Sequence, residues 1–337
     1  MGPERQAMLF KTAYRFTVLL ALGASAGCLS GSSPESSVPN STAWTTKTSM
    51  PTPRTALAVG VVGNILYAVG GSTLSNTPVH LSTVQAYDPS TNAWTTVSPM
   101  PTKRSGLAVG VVNGILYALG GTSDGVNNLT TVEKYDPGTD SWTAVAPMST
   151  ARYGLGVGVV NGQIYAVGGF IAPDQSSPVE AYDPGTDTWT PKAPMPTGRM
   201  LLGVGVVNNI LYAVGGSTNG SNNLPTVEAY DPVADAWNTN WNPIKALALM
   251  PTPRGGLAVG VNDGILYAVG GQLPDVQPGE TVPKTLEAYN PAMDIWTTLD
   301  PMPTGRTLLA AGVVNGVLYA VGGDDQGTVE TFTPPIQ

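Results

Sequence analysis

From residue 43 onward the chain is written in short apolar runs, each four to nine residues long and closed by turn residues. In the stretch RSGLAVGVVNGILYALGG (104–121) two such runs meet at Asn113-Gly114, a pair in which both residues tolerate positive φ, as a tight hairpin turn demands. TVEKYDP (131–137) and SWTAVAPM (141–148) follow, joined by a turn built around DPGTD. The period is that of strands, and four antiparallel strands are predicted for a unit of about fifty residues.

The unit recurs. The phrase ILYALGG has counterparts at 65–71, 163–169, 210–216, 265–271 and 317–323. From the Arg that opens each first strand to the first Gly of the pair is sixteen positions in all six copies, as from Arg104 to Gly120. Tyr to Trp is seven wherever both occur, as from Tyr87 to Trp94, and Met to Arg is always four, as from Met50 to Arg54. Repeats of this length made of four strands are the blades of a β-propeller. The last unit stops after TVETFTP (328–334), whereas the chain opens with an orphan Trp strand, AWTTKTSM (43–50). Pairing the two completes a sixth blade and leaves no cut edge. The fold predicted is all-β, a six-bladed propeller closed by the N-terminal strand.

A Gly-Gly pair in all six units, followed by a Tyr and then a Trp in the first five, resembles the kelch repeat, and the resemblance covers residues 43 to about 334. Its Tyr-Asp-Pro phrase stands at Tyr87, Tyr135, Tyr182 and Tyr230, becomes Tyr-Asn-Pro at Tyr289, and is lost at Phe332. The repeated Trp, Tyr and Met residues are expected to pack the blades. The Gly pairs are expected to lie where an aromatic ring rests on bare backbone.

Length varies in two places only. The connection from the Gly pair to the Tyr strand runs from fourteen residues (272–285) down to five (324–328), and the fourth unit carries an insertion, NTNWNPIKALAL (238–249). Strands alternate in direction, so both places emerge on one side of the disc. Variable loops on a rigid scaffold are where binding residues concentrate.

The candidates on that face are of two kinds. Arg54, Arg104, Arg152, Arg199, Arg254 and Arg306 open the innermost strands and would encircle the channel mouth. The resemblance implies that such arginines hold acidic peptides in some relatives. Each unit also places an acid or amide two residues before its Tyr or Phe, at Gln85, Glu133, Glu180, Glu228, Glu287 and Glu330, and this favours structural pairing between blades. The second kind is not repeated: His80, Phe170 and Trp241 as possible anchors in polar loops, and the pair Asp324 and Asp325 in the shortest loop.

Composition narrows the chemistry. Of 337 residues 11% are charged, with a formal net charge of −8 and no basic run, which speaks against nucleic acid as a partner. There is one histidine and one cysteine, Cys28, which precedes the propeller. A copper-radical oxidase of the galactose-oxidase type needs two His ligands and a Tyr–Cys crosslink. That chemistry, zinc sites, histidine-based triads and cysteine nucleophiles are all disfavoured, and no metal or cofactor is expected. The resemblance also implies an alternative, since six-bladed kelch propellers of the bacterial periplasm include sialic acid mutarotases, whose chemistry needs only an acid/base carboxylate and an arginine for the substrate carboxylate. A structural surface or adhesion component stays open as well.

The N-terminus reads as an export signal. Arg5, Lys11 and Arg15 precede the apolar run FTVLLALGASAG (16–27), too short to span a bilayer. Cleavage after Ala26 by ordinary signal peptidase competes with a lipobox reading of Ser25-Ala26-Gly27-Cys28, in which Cys28 is lipidated. Residues 28–42, rich in Ser and Pro, resemble a tether. The organisation expected is thus a signal (1–27), a tether (28–42) and a propeller (43–337). It would act as a monomeric, non-catalytic binding module outside the cytoplasm, holding a protein, peptide or glycan on the face of its variable loops, with a lipid anchor as its one contact with the membrane.

Overall fold

A computed structural model describes residues 44–171, 177–237, 247–273 and 282–335. Its strands form six sheets of four, each antiparallel throughout. The chain enters through β1 (Thr45–Lys47), which belongs to the last blade. The first blade is β2 (Ala58–Val62), β3 (Ile65–Val69), β4 (Val84–Asp88) and β5 (Ala93–Val97), and the second is β6 (Ala108–Val112), β7 (Ile115–Leu119), β8 (Val132–Asp136) and β9 (Ser141–Val145). The third holds β10 (Gly156–Val160), β11 (Gln163–Val167), β12 (Val179–Asp183) and β13 (Thr188–Lys192); the fourth holds β14 (Gly203–Val207), β15 (Ile210–Val214), β16 (Val227–Asp231) and β17 (Ala236–Trp237). The fifth is β18 (Ala258–Asn262), β19 (Ile265–Val269), β20 (Leu286–Asn290) and β21 (Ile295–Leu299), and β22 (Ala310–Val314), β23 (Val317–Val321) and β24 (Val329–Phe332) make the sixth with β1.

Closure is as the sequence predicts. Strand β1 pairs with β24, setting Thr45 against Thr331 and Lys47 against Val329. The innermost strands pack side by side around the ring, with β22 against β2, and enclose a central channel. The hairpins between first and second strands turn where expected: Asn113 and Gly114 have φ of 49° and 78°, and Asn315 and Gly316 have 49° and 76°.

The repeated residues join neighbouring blades. Each Trp sends its indole N–H to a backbone carbonyl at the outer end of the preceding blade, as Trp142 does to Ser98 at 2.9 Å and Trp189 to Ala146 at 2.8 Å. In the same places the Asp at the turn between third and fourth strands accepts a backbone N–H of that preceding blade. It also accepts the Tyr hydroxyl of its own blade: Asp140 takes Ser98 N at 2.9 Å and Tyr135 Oη at 2.7 Å. The closing strand uses the same device on both sides. Trp44 donates to the carbonyl of Asp300 in the fifth blade, and Thr48 accepts from Trp94 in the first.

The Gly pairs do not meet aromatic rings. A Cβ on Gly120 would lie 2.6 Å from the carbonyl oxygen of Arg152 in the next blade, and one on Gly121 would lie 2.6 Å from the carbonyl oxygen of Ser105. Gly121 N donates to Arg152 O at 2.9 Å, and the same bond recurs at all six blade boundaries, ending with Gly323 to Arg54 at 3.0 Å. With φ of 61° and 93°, the pair both turns the chain and lets a neighbouring backbone approach. The expectation of a ring on bare backbone is corrected accordingly.

Candidate functional site

The six arginines are not displayed at the channel mouth. Each is 0–2% exposed, with its side chain directed into its own blade. Arg104 donates to Glu133 at 2.8 Å and to the carbonyl of Thr131 at 2.8 Å. Arg254 meets Glu287 and Arg306 meets Glu330, each at 2.7 Å; Arg199 lies 3.0 Å from Glu228, and Arg152 is bonded to Glu180. These pairs lie within blades, not between them as the sequence suggested. Burial pulls the Arg104 guanidinium down to about 10, opposed by the Glu133 charge, so it remains cationic at neutral pH.

The first blade breaks the pattern. Gln85 stands where the others have Glu, so Arg54 is buried without a carboxylate. Its Nη2 donates to the carbonyl of Ala68 at 3.0 Å, and its Nε and Nη1 have no partner. Burial lowers Arg54 to about 10 as well, with nothing opposing it.

What surrounds the mouth is backbone. Two residues after each Arg stand Ala56, Gly106, Gly154, Leu201, Gly256 and Leu308, all with φ between 51° and 64°. Each donates its N–H to the carbonyl of the equivalent residue in the preceding blade, at 2.7–2.8 Å, and Ala56 closes the circle by donating to Leu308. Leucine rarely adopts this conformation, so Leu201 (φ 55°) and Leu308 (φ 54°) are strained positions at the rim. The collar explains why the strain persists: releasing either residue would break a closed ring of hydrogen bonds.

Two positions of fixed spacing stand around the mouth, the residue after the Arg and the residue after the Gly pair, with Thr55, Ser72, Thr122 and Ser217 buried among them. They face each other in isolated bridges: Thr55 with Ser72, Ser105 with Thr122, Tyr153 with Phe170, Met200 with Ser217, Gly255 with Gln272. The Arg or Gly that precedes each of them is constant, while they change from hydroxyl to aromatic to thioether to bare backbone. Length variation alone does not reveal them; variation of type at fixed spacing does. Between them lies a cavity of about 90 Å³, bordered by Tyr153, Met200, Leu201, Gly255, Gln272, Thr307 and Leu308.

The unrepeated candidates divide. Phe170 is at the mouth, its ring 5.4 Å from that of Tyr153. His80 lies against the second blade, with Nδ1 2.9 Å from Ser105 Oγ. It occupies the place taken by Asn128, which donates to the Phe170 carbonyl at 2.8 Å, and by Asn223, which donates to the Gln272 carbonyl at 2.6 Å. All three clasp one blade to the next. Burial lowers the His80 pKa, Asp124 opposes the shift, and Lys103 adds to it.

A single histidine touching a serine invites a nucleophilic reading, so the count of histidines does not by itself dispose of one. Among the described residues the amides of Gly106 and Gly154 beside this pair are both engaged in the collar. Asp324 follows the last Gly pair and caps its short loop, accepting from the amides of Gln326 and Thr328, while Asp325 is exposed and accepts from the Gln326 side chain. Trp241 and Cys28 lie outside the described residues. Among the described residues no group of three His, Cys, Asp or Glu side chains is placed to hold a metal ion, and no helix is long and apolar enough to cross a membrane.

Six four-stranded blades carrying the Gly-Gly, Tyr and Trp straps define a kelch-type β-propeller, and a kelch motif model matches residues 253–303. The model of the attractin/LZTR1 β-propeller matches residues 37–273, most of the chain, and the protein belongs to that family. Among curated proteins it is 38% identical over 105 residues to Kelch-like ECH-associated protein 1A of Danio rerio, covering 31% of this chain and 16% of that protein. It is 37% identical over 105 residues to Kelch-like protein 28 of Homo sapiens, covering 30% and 17%. The chain thus spans about a sixth of the length of these relatives. The solved structure of YjhT superposes with a TM-score of 0.68 over 83% of this chain and 94% of that one, at 16% identity, a likeness of fold.

Proposed function

We propose that the protein is a non-catalytic binding module that holds a protein ligand on its loop face, centred on the channel mouth. One observation carries this reading: among the described residues, the loops of variable length and the mouth positions of variable type gather on one face, over a scaffold whose bonds repeat from blade to blade. The connectors between blades sit on that face too, since Met100 N bonds Ser82 O in the first blade's loop and Met148 N bonds Thr130 O in the second's. The mutarotase alternative asks for an arginine facing a substrate carboxylate, and no observation favours it over binding. The export signal at 1–27, lipidation of Cys28 and the tether at 28–42 belong to the same proposal, which puts a monomeric propeller outside the cytoplasm on a membrane anchor.

The test is capture of a ligand from cell-envelope extract by three forms of the full chain. These are the parent, a form with loop tips 74–78 and 123–127 replaced by Gly/Ser of equal length, and a form with Val233 and Met293 of the opposite face changed to Ser. Loss of a captured protein in the loop-tip form alone is expected. Capture that survives there and fails in the opposite-face form overturns the assignment.

A further inference from the structure

The collar carries side chains that the ring does not need. At three of its six places, Gly106, Gly154 and Gly256, glycine takes the positive φ without strain, and the ring of bonds closes through them as it does elsewhere. Leu201 and Leu308 take the same φ at a cost and stay half-buried. Each lies across the collar glycine of the blade before it. A Cβ on Gly154 would stand 2.9 Å from Leu201 Cδ2, and one on Gly256 would stand 3.1 Å from Leu308 Cδ2. Both leucines border the cavity of about 90 Å³, with the bare backbone of Gly255 and Gly256 on the blade between them. Strain that a smaller residue would remove argues for a use of the side chain.

The cavity offers little to a polar or charged group. Among the described residues no charged side chain borders it. The collar amides and carbonyls are bonded to one another, Ser105 Oγ is held to His80, and Asn223 Nδ2 is spent on the Gln272 carbonyl. Thr307 Oγ1 has no partner but is buried against Gly256. Tyr153, Met200 and the two leucines supply most of the wall. Size narrows the choice further. An apolar cavity of roughly 150 Å³ takes a benzene ring, so one of about 90 Å³ falls short of an aromatic or sugar ring and suits a branched aliphatic group. A larger ligand held here lies mostly outside, on the loop face. There Gln272 is exposed, and its side-chain amide has both a donor and an acceptor for a main chain.

We propose that the mouth is an anchor pocket for one leucine-sized aliphatic side chain of an extended protein segment. The side chain is gripped between Leu201 and Leu308, and the main chain that carries it runs beside Gln272. This rests on the reading of the loop face as the binding face and deepens it by naming the kind of residue that the face selects.

The experiment is NMR of the full chain with methyl-labelled methionine, the Met200 signal being assigned through Met200→Leu. The probes are isobutanol and four peptides, acetyl-Gly-Gly-Xaa-Gly-Gly-amide with Leu, Gly, Asp or Trp at the centre. At millimolar concentration the Leu peptide is expected to move the Met200 methyl signal. It is expected to bind about tenfold or more tightly than each of the other peptides, the worth of a filled aliphatic pocket. Leu201→Gly and Leu308→Gly suit the collar φ, so both are expected to fold and to weaken the Leu peptide by about the same factor. Four results overturn the proposal: a Met200 signal that the Leu peptide does not move, equal or tighter binding of another peptide, an equal response to isobutanol, or undiminished binding in both variants. Should a variant fail to fold, the comparison of probes on the parent chain decides alone. A protein ligand whose capture is lost in the loop-tip form but retained in both glycine variants sinks this inference and leaves the proposed function standing.

Discussion

Arg54 and Arg104 occupy equivalent places, and a single carboxylate separates their circumstances. Arg104 reaches Glu133 within a fully buried site, whereas Arg54 has Gln85 beside it and two guanidinium nitrogens without partners. Removing one member of a buried pair costs about 3–5 kcal/mol, because the other charge is left uncompensated. Glu133→Gln is therefore expected to lower stability by about that amount. Gln85→Glu is expected to raise it by roughly 1.5–3 kcal/mol, the worth of a hydrogen bond to a charged group. Urea unfolding of the two variants checks both signs, and a Gln85→Glu protein no more stable than its parent would show that Arg54 is already satisfied.

His80 offers a second test at this scale. Burial depresses its folded pKa below the unfolded value of about 6.5, so the unfolded chain binds more protons as pH falls through that value. Its contribution is complete above about pH 6.5 and is lost progressively below it. His80→Asn copies the clasp used by Asn128 and Asn223. It is expected to melt like the parent near neutral pH and to flatten the decline in melting temperature between about pH 6.5 and pH 5. An unaltered slope would assign the decline to other groups.

At the scale of the element, the Gly pair and the hairpin Gly separate two costs that usually come together. Gly120 and Gly162 both have positive φ, 61° and 77°. A Cβ on Gly162 meets nothing within 4 Å, while one on Gly120 strikes the Arg152 carbonyl at 2.6 Å. Gly162→Ala pays only the left-handed backbone cost of about 1–2 kcal/mol. Gly120→Ala adds displacement of the next blade, for a total of about 2–5 kcal/mol, overpacking alone costing about 1–3. Equal melting temperatures for the two variants would contradict the role given to the pair.

These elements also show what a sequence can carry. Strand number and hairpin turns were legible because each is written locally and six times over, and ring closure because the orphan Trp strand at 43–50 supplies what the last unit lacks. The direction of the arginines was only half legible: the spacing to Glu133 or Glu180 announced a partner, and only three dimensions show that the partner is in the same blade. The collar was not legible, since Ala56, Leu201 and Leu308 adopt positive φ without any residue signal for it. A long-range ring of backbone bonds imposes that conformation. The mouth was legible in principle at the positions after each Arg and after each Gly pair, where type varies and spacing does not.

For the whole molecule, symmetry and function divide the sequence between them. Indole and aspartate straps, Gly pairs and the collar bind each blade to the next, and β1 ties the two ends of the chain into one blade so that the ring has no free end. Within that frame the mouth departs from sixfold symmetry: aromatic and thioether side chains on one side, hydroxyls on another, bare glycine between. A scaffold selected for rigidity alone has no need of such a difference, and a binding face does.

The most direct measurement pairs two variants of the full chain, Arg104→Ala and Tyr153→Ala, with melting temperature and ligand capture per folded molecule read for each. Arg104→Ala is expected to lower the melting temperature sharply and leave capture intact. Tyr153→Ala is expected to do the reverse. Capture lost in Arg104→Ala and retained in Tyr153→Ala would contradict the division of the molecule into a repeated scaffold and a varied binding face.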